Sequence, residues 1–300
     1  MPANALHLSA DASPEHTRHY QPSGRVSPLV LPLLALALPA SALLATVYSY
    51  VTLSLPIIGS FTVLLTLGLG FGVGAITVAA LQRGKVRSRL FAVVASLGLG
   101  LFTTWAMWVT WGSALLRQGD SQVPFFVLLW PPSLWQLISS VNETGAWSLQ
   151  GATPTGAILW VLWAIEAAIL VGIPVVMGLT VAEAPYCEHC ETWCAHEKAV
   201  FLTPLVEKDF AGERLRQRDF KWLESLGGLQ RPPPPKFTRW DLYECGCRAT
   251  NAVSAIGIEV ALDDKGHQKV TESTLVQTVL LAPDAVPGFR AIAQQLAPRD

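Results

Sequence analysis

The chain has 300 residues, of which 51% are hydrophobic and only 14% are charged, and its mean hydropathy is +0.39. About a quarter of the residues in ordinary soluble domains are charged, so this composition excludes a wholly soluble protein and predicts that a bilayer solvates part of the chain. The net charge is -1, and the C-terminal part is close to neutral, which argues against a nucleic-acid partner.

Residues 1–28 form the first region. They contain Pro14, Pro22 and Pro28 and show no hydrophobic periodicity. A polar segment without periodicity is typical of a loop or of disorder. We therefore expect a disordered N-terminal tail.

Four apolar stretches follow, at 29–51, 57–81, 90–112 and 157–181. A helix needs about 20 mostly apolar residues to cross a bilayer, and none of the four stretches contains Lys, Arg, His or Asp. The first stretch is longer than the roughly 7 to 15 apolar residues of a signal peptide, so we interpret it as a retained span. Residues 29–181 are predicted to form an α-helical membrane bundle of four transmembrane helices.

The charges of the loops predict the orientation of these spans, because Lys and Arg are retained on the cytoplasmic side. The loop at 82–89 contains four such residues, which are Arg83, Lys85, Arg87 and Arg89. The loop at 113–156 contains only Arg117. Both chain ends are therefore expected in the cytoplasm, with the spans in a plasma (inner) membrane.

Glycines are concentrated in the second and third spans. They are Gly68, Gly70, Gly72 and Gly74 in the second span, and Gly98 and Gly100 in the third. Small residues four positions apart let two helices approach closely in a membrane. We therefore predict close helix packing around these glycines.

The outer loop at 113–156 contains a further helical pattern. After two prolines, Ser133 can cap a helix that ends at Gly145. Its apolar side chains fall on one face and are Leu134, Leu137, Ile138 and Val141. Such a helix is predicted to be interfacial, lying on the membrane surface. The nearby residues Trp105, Trp108 and Trp111 recur every three positions, as in an aromatic belt that also serves as a packing surface.

Glu166 is the only acidic residue within the four predicted spans. It lies about nine residues into the last span, which at 1.5 Å per residue places it roughly 14 Å deep. An ionised carboxylate is costly at that depth, so we expect a neutral acid bonded to Ser, Thr or a backbone carbonyl. Two roles remain open for it, which are hydrogen bonding between helices and the handling of a proton or a substrate.

Residues 182–300 contain all five cysteines. Cys187 and Cys190 form a Cys-x-x-Cys pair, and Cys245 and Cys247 form a Cys-x-Cys pair more than fifty residues later. A tetrahedral structural zinc needs four ligands, so these four residues are the predicted metal ligands and zinc is the predicted cofactor. The residues that could replace one of them are Cys194, His189 and His196.

The rest of this region is predicted to be a small α+β domain. Residues 197–226 have a helical pattern that is interrupted near Pro204 and closed by Gly227. Beyond a stiff connector at 232–235, the period changes to two. The predicted strands lie around 240–242, 256–262 and 269–281.

Cys245 and Cys247 lie between the first two predicted strands, and a bend at Gly246 would help to bring both sulfurs onto one ion. The chain thus supplies one cysteine corner before a helical insert and one in a β-hairpin. In this respect residues 187–247 resemble a zinc ribbon, and the resemblance covers only the cysteine corners. Reduced thiols are expected, because the charge pattern places the domain in the cytoplasm.

The favoured hypothesis is a non-enzymatic four-span membrane protein. Its cytoplasmic domain would be held together by zinc and would act as an interaction or regulatory module for a protein partner. The alternatives are a small proton-coupled transporter that uses Glu166, and a membrane-tethered thiol oxidoreductase. The sequence shows no Ser/His/Asp triad, phosphate loop or nucleotide fingerprint.

Overall fold

The computed structural model describes residues 19–54, 60–119, 123–145, 153–217, 219–230 and 232–297. The described chain divides into two compact units. One unit is Pro22–Glu183, and the other contains residues 19–21 together with the chain from Ala184 onward. Of the predicted tail, residues 1–18 lie outside the described part.

The described part of the first unit is helical. Its helices are α1 (Val30–Ser54), α2 (Ser60–Arg83), α3 (Arg89–Gln118), α4 (Phe125–Leu128), α5 (Pro131–Thr144) and α6 (Ala157–Glu183). The helices α1, α2, α3 and α6 are long and apolar enough to cross a membrane. The four apolar stretches predicted from the sequence are therefore confirmed as long apolar helices.

These four helices pack side by side, with α1 and α6 each in contact with both α2 and α3. Apolar side chains such as Tyr48, Leu99 and Leu170 fill the space between them. Polar atoms also join α1 to α3, because the Ser49 hydroxyl lies 3.1 Å from the Met107 carbonyl oxygen. A hydroxyl buried among apolar helices needs such an acceptor, since an unpaired polar group is costly there.

Glycines mark the closest approaches between these helices. A Cβ atom added at Gly100 would lie 2.9 Å from the Cα atom of Val171 in α6, and one added at Gly74 would overlap the sulfur of Met177. The predicted close packing is confirmed at these two positions. Gly98, in contrast, faces open space.

Helix α5 differs from its sequence prediction in its start and in its contacts. Trp130 is its N-cap, with proline in the first turn, so Ser133 is not the cap. The helix ends at Gly145, which has a φ of +84°, as predicted. Its apolar side chains Leu134 and Ile138 pack in one cluster with Val109 of α3. The face that the sequence assigns to the membrane surface is therefore covered by protein.

Tryptophan rings join three of these helices. The ring centroids of Trp108 in α3 and Trp163 in α6 lie 4.8 Å apart, and those of Trp160 and Trp135 lie 5.1 Å apart. Aromatic pairs at such distances contribute about 0.5–1.5 kcal/mol beyond their buried area. Trp108 therefore packs against α6, which agrees with the packing surface predicted from the sequence, and its place in a membrane belt stays a prediction.

The second unit contains two antiparallel sheets and three described helices. Its elements are β1 (Tyr186–Cys187), β2 (Thr192–Trp193), β3 (Ala195–Pro204), α7 (Lys208–Arg216), α8 (Lys221–Leu226), β4 (Lys236–Glu244), β5 (Asn251–Leu262), β6 (Gln268–Leu281) and α9 (Ala285–Leu296). The strands β1 and β2 pair with each other, and the larger sheet has the order β3-β4-β5-β6. The three predicted strands are confirmed as β4, β5 and β6.

One face of the larger sheet forms the core of this unit. Trp240 of β4 is fully buried, and its ring stacks on Phe201 of β3 at 5.6 Å. Phe289 of α9 and Leu223 of α8 belong to the same buried cluster. The sheet thereby holds the β4–β5 hairpin, which carries two of the cysteines.

Strand β3 corrects the helical prediction for residues 197–204. These residues pair with β4, with an irregularity between Glu197 and Phe201. The irregularity places Ala199 at a φ of +54°, and its N–H donates to the Asp241 carboxylate at 2.9 Å. Pairing with a distant strand therefore overrides the local helical pattern. The helical prediction is confirmed only in α7 and α8.

The outer edge of β6 is partly covered by the segment before α1. The N–H of Tyr20 donates to the Thr278 carbonyl at 2.8 Å, and His19 forms a bridge with Val279. Covering an edge strand removes unpaired backbone groups that could recruit another chain. The sequence assigns residues 1–28 to a disordered tail, whereas the structure shows His19 and Tyr20 paired with the sheet.

We predict that Gly100→Ala destabilises the protein, while Gly98→Ala, two positions away on α3, does not. At Gly100 the new methyl group would meet the backbone of α6, and overpacking of this kind costs about 1–3 kcal/mol. At Gly98 the methyl group meets nothing, and alanine favours a helix by about 1 kcal/mol. Thermal unfolding of the purified protein in detergent compares them. Equal shifts for both variants would contradict the α3–α6 contact.

Candidate metal centre

The strands β1 and β2 hold the first cysteine corner. Cys187 pairs with Thr192 across this small sheet, so residues 188–191 form a tight turn. Glu191 completes the turn in a left-handed conformation, with a φ of +51°. As a result Cys187 is fully buried, whereas Cys190 lies at the surface.

The β4–β5 hairpin holds the second corner. The N–H of Cys245 donates to the Thr250 carbonyl at 3.1 Å, and the N–H of Arg248 donates to the Cys245 carbonyl at 2.8 Å. The residue in the left-handed conformation is Arg248, with a φ of +59°, and not Gly246. The predicted bend at Gly246 is thus made without a left-handed glycine, and a Cβ atom there would meet open space.

The two corners bring four sulfurs together. The Sγ atoms of Cys187, Cys190, Cys245 and Cys247 all lie within 4.8 Å of one another. The closest pair joins one corner to the other, with Cys190 and Cys245 at 2.8 Å, and the sulfur of Cys247 lies 3.4 Å from those of Cys187 and Cys245. A metal ion about 2.3 Å from each of four tetrahedral sulfurs would hold them about 3.8 Å apart. The cluster could therefore hold one metal ion.

Hydrogen-bond donors reach each of these four sulfurs. The N–H of Cys190 donates to Cys187, that of Cys247 to Cys245 and that of Ala249 to Cys247, while the Thr192 hydroxyl contacts Cys190. A donor aimed at sulfur stabilises the thiolate over the thiol. The local backbone therefore favours the form of cysteine that binds metals.

Without a cation, the four thiols do not ionise alike. Burial opposes ionisation of Cys187, but hydrogen bonds that include the Cys190 N–H lower its pKa to about 6. Burial raises the pKa of Cys245 to about 12, and the neighbouring sulfur of Cys190 adds to this effect. Sulfurs this close repel as thiolates, so ionisation of one thiol holds the proton on another.

Cys194 lies outside the cluster. Its thiol is buried and donates to the Thr250 carbonyl at 3.6 Å. Burial raises its pKa to about 12, so this thiol stays neutral. His196 stacks on the ring of Tyr243 at 4.2 Å and contacts Asp241. Within the described chain, neither Cys194 nor the histidines join the group of four sulfurs.

No sequence signal marks Glu191 and Arg248 as left-handed residues. Each directly follows the second cysteine of its corner. A left-handed conformation costs an ordinary residue roughly 1–2 kcal/mol, so a glycine at these positions would have been the signal. The role of the Thr192 hydroxyl was not predicted either, because its contact with the Cys190 sulfur depends on the β1–β2 pairing.

Glu166 lies in α6 of the first unit. Its carboxyl interacts electrostatically with Tyr48 of α1, whose hydroxyl lies 2.9 Å from that of Thr66. Within the described residues, no hydrogen bond to the carboxyl is found, so the expected bond to Ser, Thr or a carbonyl is not seen. Its structural or transport role stays a prediction.

The chain was also compared with known proteins. No protein-family model matches it, and neither a curated protein nor a solved structure does.

We predict that the affinity for the metal falls as the pH falls. The slope of the logarithm of the affinity against pH, which equals the number of protons released per ion, should become steeper below about pH 6. Bound thiols must lose their protons, and the Cys187 pKa of about 6 means that this thiol is already ionised at neutral pH. Binding at neutral pH should then release fewer than four protons per ion, and binding below about pH 6 should release four. Chelator competition across this range measures the slope. A slope of four at every pH would contradict the low pKa of Cys187.

Proposed function

We propose that this chain is a multi-pass membrane protein whose cysteine cluster holds a structural zinc ion. The observation that carries the proposal is the convergence of four sulfurs within 4.8 Å from two corners more than fifty residues apart. Thiolate ligands in a tetrahedral arrangement favour zinc among the common divalent ions. Four protein ligands leave no open position for water or substrate, which supports a structural rather than a catalytic ion.

The ion would stabilise a part of the fold that has little other support. The strands β1 and β2 contain two residues each. A two-stranded hairpin is marginally stable at best in water, so joining it to the packed β4–β5 hairpin would hold it in place. Metal-binding free energy at such a site becomes folding free energy. We therefore assign the second unit the role of a zinc-stabilised interaction or regulatory module with a protein partner.

A thiol oxidoreductase is the rival that the same residues suggest. Exchange chemistry needs two close thiols, whereas four sulfurs converge here, and a hydrogen-bond donor reaches each of them. The closest pair is Cys190 with Cys245, at 2.8 Å, and not the Cys187 and Cys190 pair of the Cys-x-x-Cys motif. The number and arrangement of the sulfurs favour metal binding.

The proposed orientation places both chain ends in the cytoplasm, in a plasma (inner) membrane. It is supported by the four cations at the junction of α2 and α3, between residues 83 and 89, because Lys and Arg remain on the cytoplasmic side. A transporter that uses Glu166 is the alternative for the helical unit, and it requires a flux that depends on that carboxyl.

We predict that the full-length protein, purified in detergent, contains one zinc ion per chain. Serine at Cys187, Cys190, Cys245 or Cys247 should reduce the zinc content and lower the thermal stability, because each change removes a thiolate ligand. Cys194→Ser is the matched control, since this buried thiol lies outside the cluster, and it should keep the zinc. Elemental analysis together with thiol counting provides the measurement.

Two results would overturn the zinc assignment. One is metal-free protein with all thiols reduced, purified without chelators. The other is full zinc content in the double variant Cys245→Ser and Cys247→Ser. A reversible disulfide within the cluster, formed without any bound metal, would instead support the oxidoreductase.

We predict that reporter fusions place the two sides of the membrane as the charges indicate. Alkaline phosphatase, which is active only outside the cytoplasm, should be inactive when fused after Asp300 and active when fused near Gln122. A fluorescent protein that folds in the cytoplasm should give the opposite pattern at the same two positions. If both reporters show the reverse, the orientation is wrong, and the cysteines lie in a compartment where disulfides form.

A further inference from the structure

We propose that α4 and α5 form a membrane anchor whose exposed side chains contact the lipids of one leaflet. These side chains, which we call the aromatic face, are Phe125, Phe126, Leu129, Trp130 and Trp135. They lie within the first unit, apart from the cysteine cluster. The inference goes beyond the zinc proposal, and it rests on the proposal that the four long apolar helices span a membrane.

The level of the bilayer follows from the ion pair between Arg89 and Glu183. Arg89 begins α3 and Glu183 ends α6, and their side chains lie 3.3 Å apart, so the two helix ends are level. Charges avoid the hydrocarbon core, so this pair marks its near boundary. A core about 30 Å thick corresponds to about 20 helical residues, a count that reaches Val109 in α3 and Trp163 in α6. The rings of Trp108 and Trp163 lie 4.8 Å apart, so the two helices are level at the far boundary also.

The anchor packs against the spans at this far boundary. Leu128 of α4 and Leu134 of α5 lie in one buried cluster with Val109. A Cβ atom added at Gly112 of α3 would lie 2.5 Å from the side chain of Leu137 in α5. Helix α3 continues past both Val109 and Gly112. The anchor therefore covers the sides of the spans, and not their ends.

The opposite side of the anchor is apolar and exposed. Phe126 and Trp130 are 69% and 65% exposed, and Trp135 is 59% exposed although its ring stacks on Trp160 of α6. From residue 121 to residue 142 the sequence contains no charged side chain. An exposed apolar cluster of this kind marks a surface that contacts another molecule or a membrane.

The level and the composition of the aromatic face favour lipid as its occupant. Tryptophan is enriched at membrane boundaries, because its ring is apolar and its indole N–H can remain hydrated. The aromatic face lies at such a boundary, where lipid surrounds the spans. The sequence predicted that Leu134 and its neighbours face the membrane. Since those side chains cover α3, the contact with lipid passes to the other side of the same segment.

The test maps the surface of the full-length protein after reconstitution into phosphatidylcholine vesicles. A lipid-soluble diazirine labels side chains that contact the bilayer, whereas hydroxyl radicals made in the water oxidise aromatic rings outside it. Mass spectrometry locates both modifications. Phe126 and Trp130 should carry the diazirine label, and they should lose the oxidation that rings of this exposure undergo in water.

Two residues of the same chain serve as controls. Leu43 is 65% exposed in α1 and should carry the diazirine label, and Phe210 is 43% exposed in α7 of the second unit and should be oxidised. Oxidation of Phe126 and Trp130 as strong as that of Phe210, with Leu43 labelled, would overturn the anchor and keep the spans. Neither modification at Phe126 and Trp130 would mean that protein covers the aromatic face, which also overturns the proposal. An unlabelled Leu43 would overturn the membrane proposal and this one together.

Discussion

Four thiolates whose sulfurs lie within 4.8 Å of one another repel strongly unless a cation lies among them. The surrounding backbone nevertheless favours ionisation, because N–H groups point at three of the four sulfurs. In the metal-free cluster the two tendencies conflict, and the conflict appears as a lowered pKa for Cys187 beside a raised pKa for Cys245. A bound divalent cation removes it, since all four thiols can then ionise. A disulfide would join only two of the four sulfurs, and the donors at the other two sulfurs would then have no thiolate to stabilise.

The two corners of the cluster differ in how firmly the fold holds them. The second corner ends a hairpin whose root contains the fully buried Trp240 and the Asp241 carboxylate. That carboxylate accepts hydrogen bonds from Arg239 and from the backbone of Ala199, which ties β3 to β4. The first corner depends on two-residue strands and on Tyr186, whose N–H donates to the Tyr20 hydroxyl at 3.2 Å. The ion would therefore fasten a weakly supported turn to a rigid one.

The sequence predicted those features that depend on local composition or spacing. Length and apolarity predicted the four long helices, period-two alternation predicted β4, β5 and β6, and cysteine spacing predicted which four sulfurs meet. Features that depend on distant pairing were missed. Strand β3 has a helical pattern but pairs with β4, and His19 joins the edge of β6 although its own neighbours show no pattern. The helix α9 was not predicted either, and it is held by burial of Phe289 against the sheet.

Within the helical unit, several buried hydroxyls form hydrogen bonds inside their own helix. The hydroxyls of Thr77, Ser96 and Thr103 each donate to the carbonyl four residues earlier, which needs no partner helix. Among the described residues, the Glu166 carboxyl has no such bond, and neither does the buried hydroxyl of Ser41. A carboxyl costs far more than a hydroxyl in a bilayer. That cost can be offset only by protonation or by a partner outside the described chain, so a functional role for the helical unit has to be sought first at Glu166.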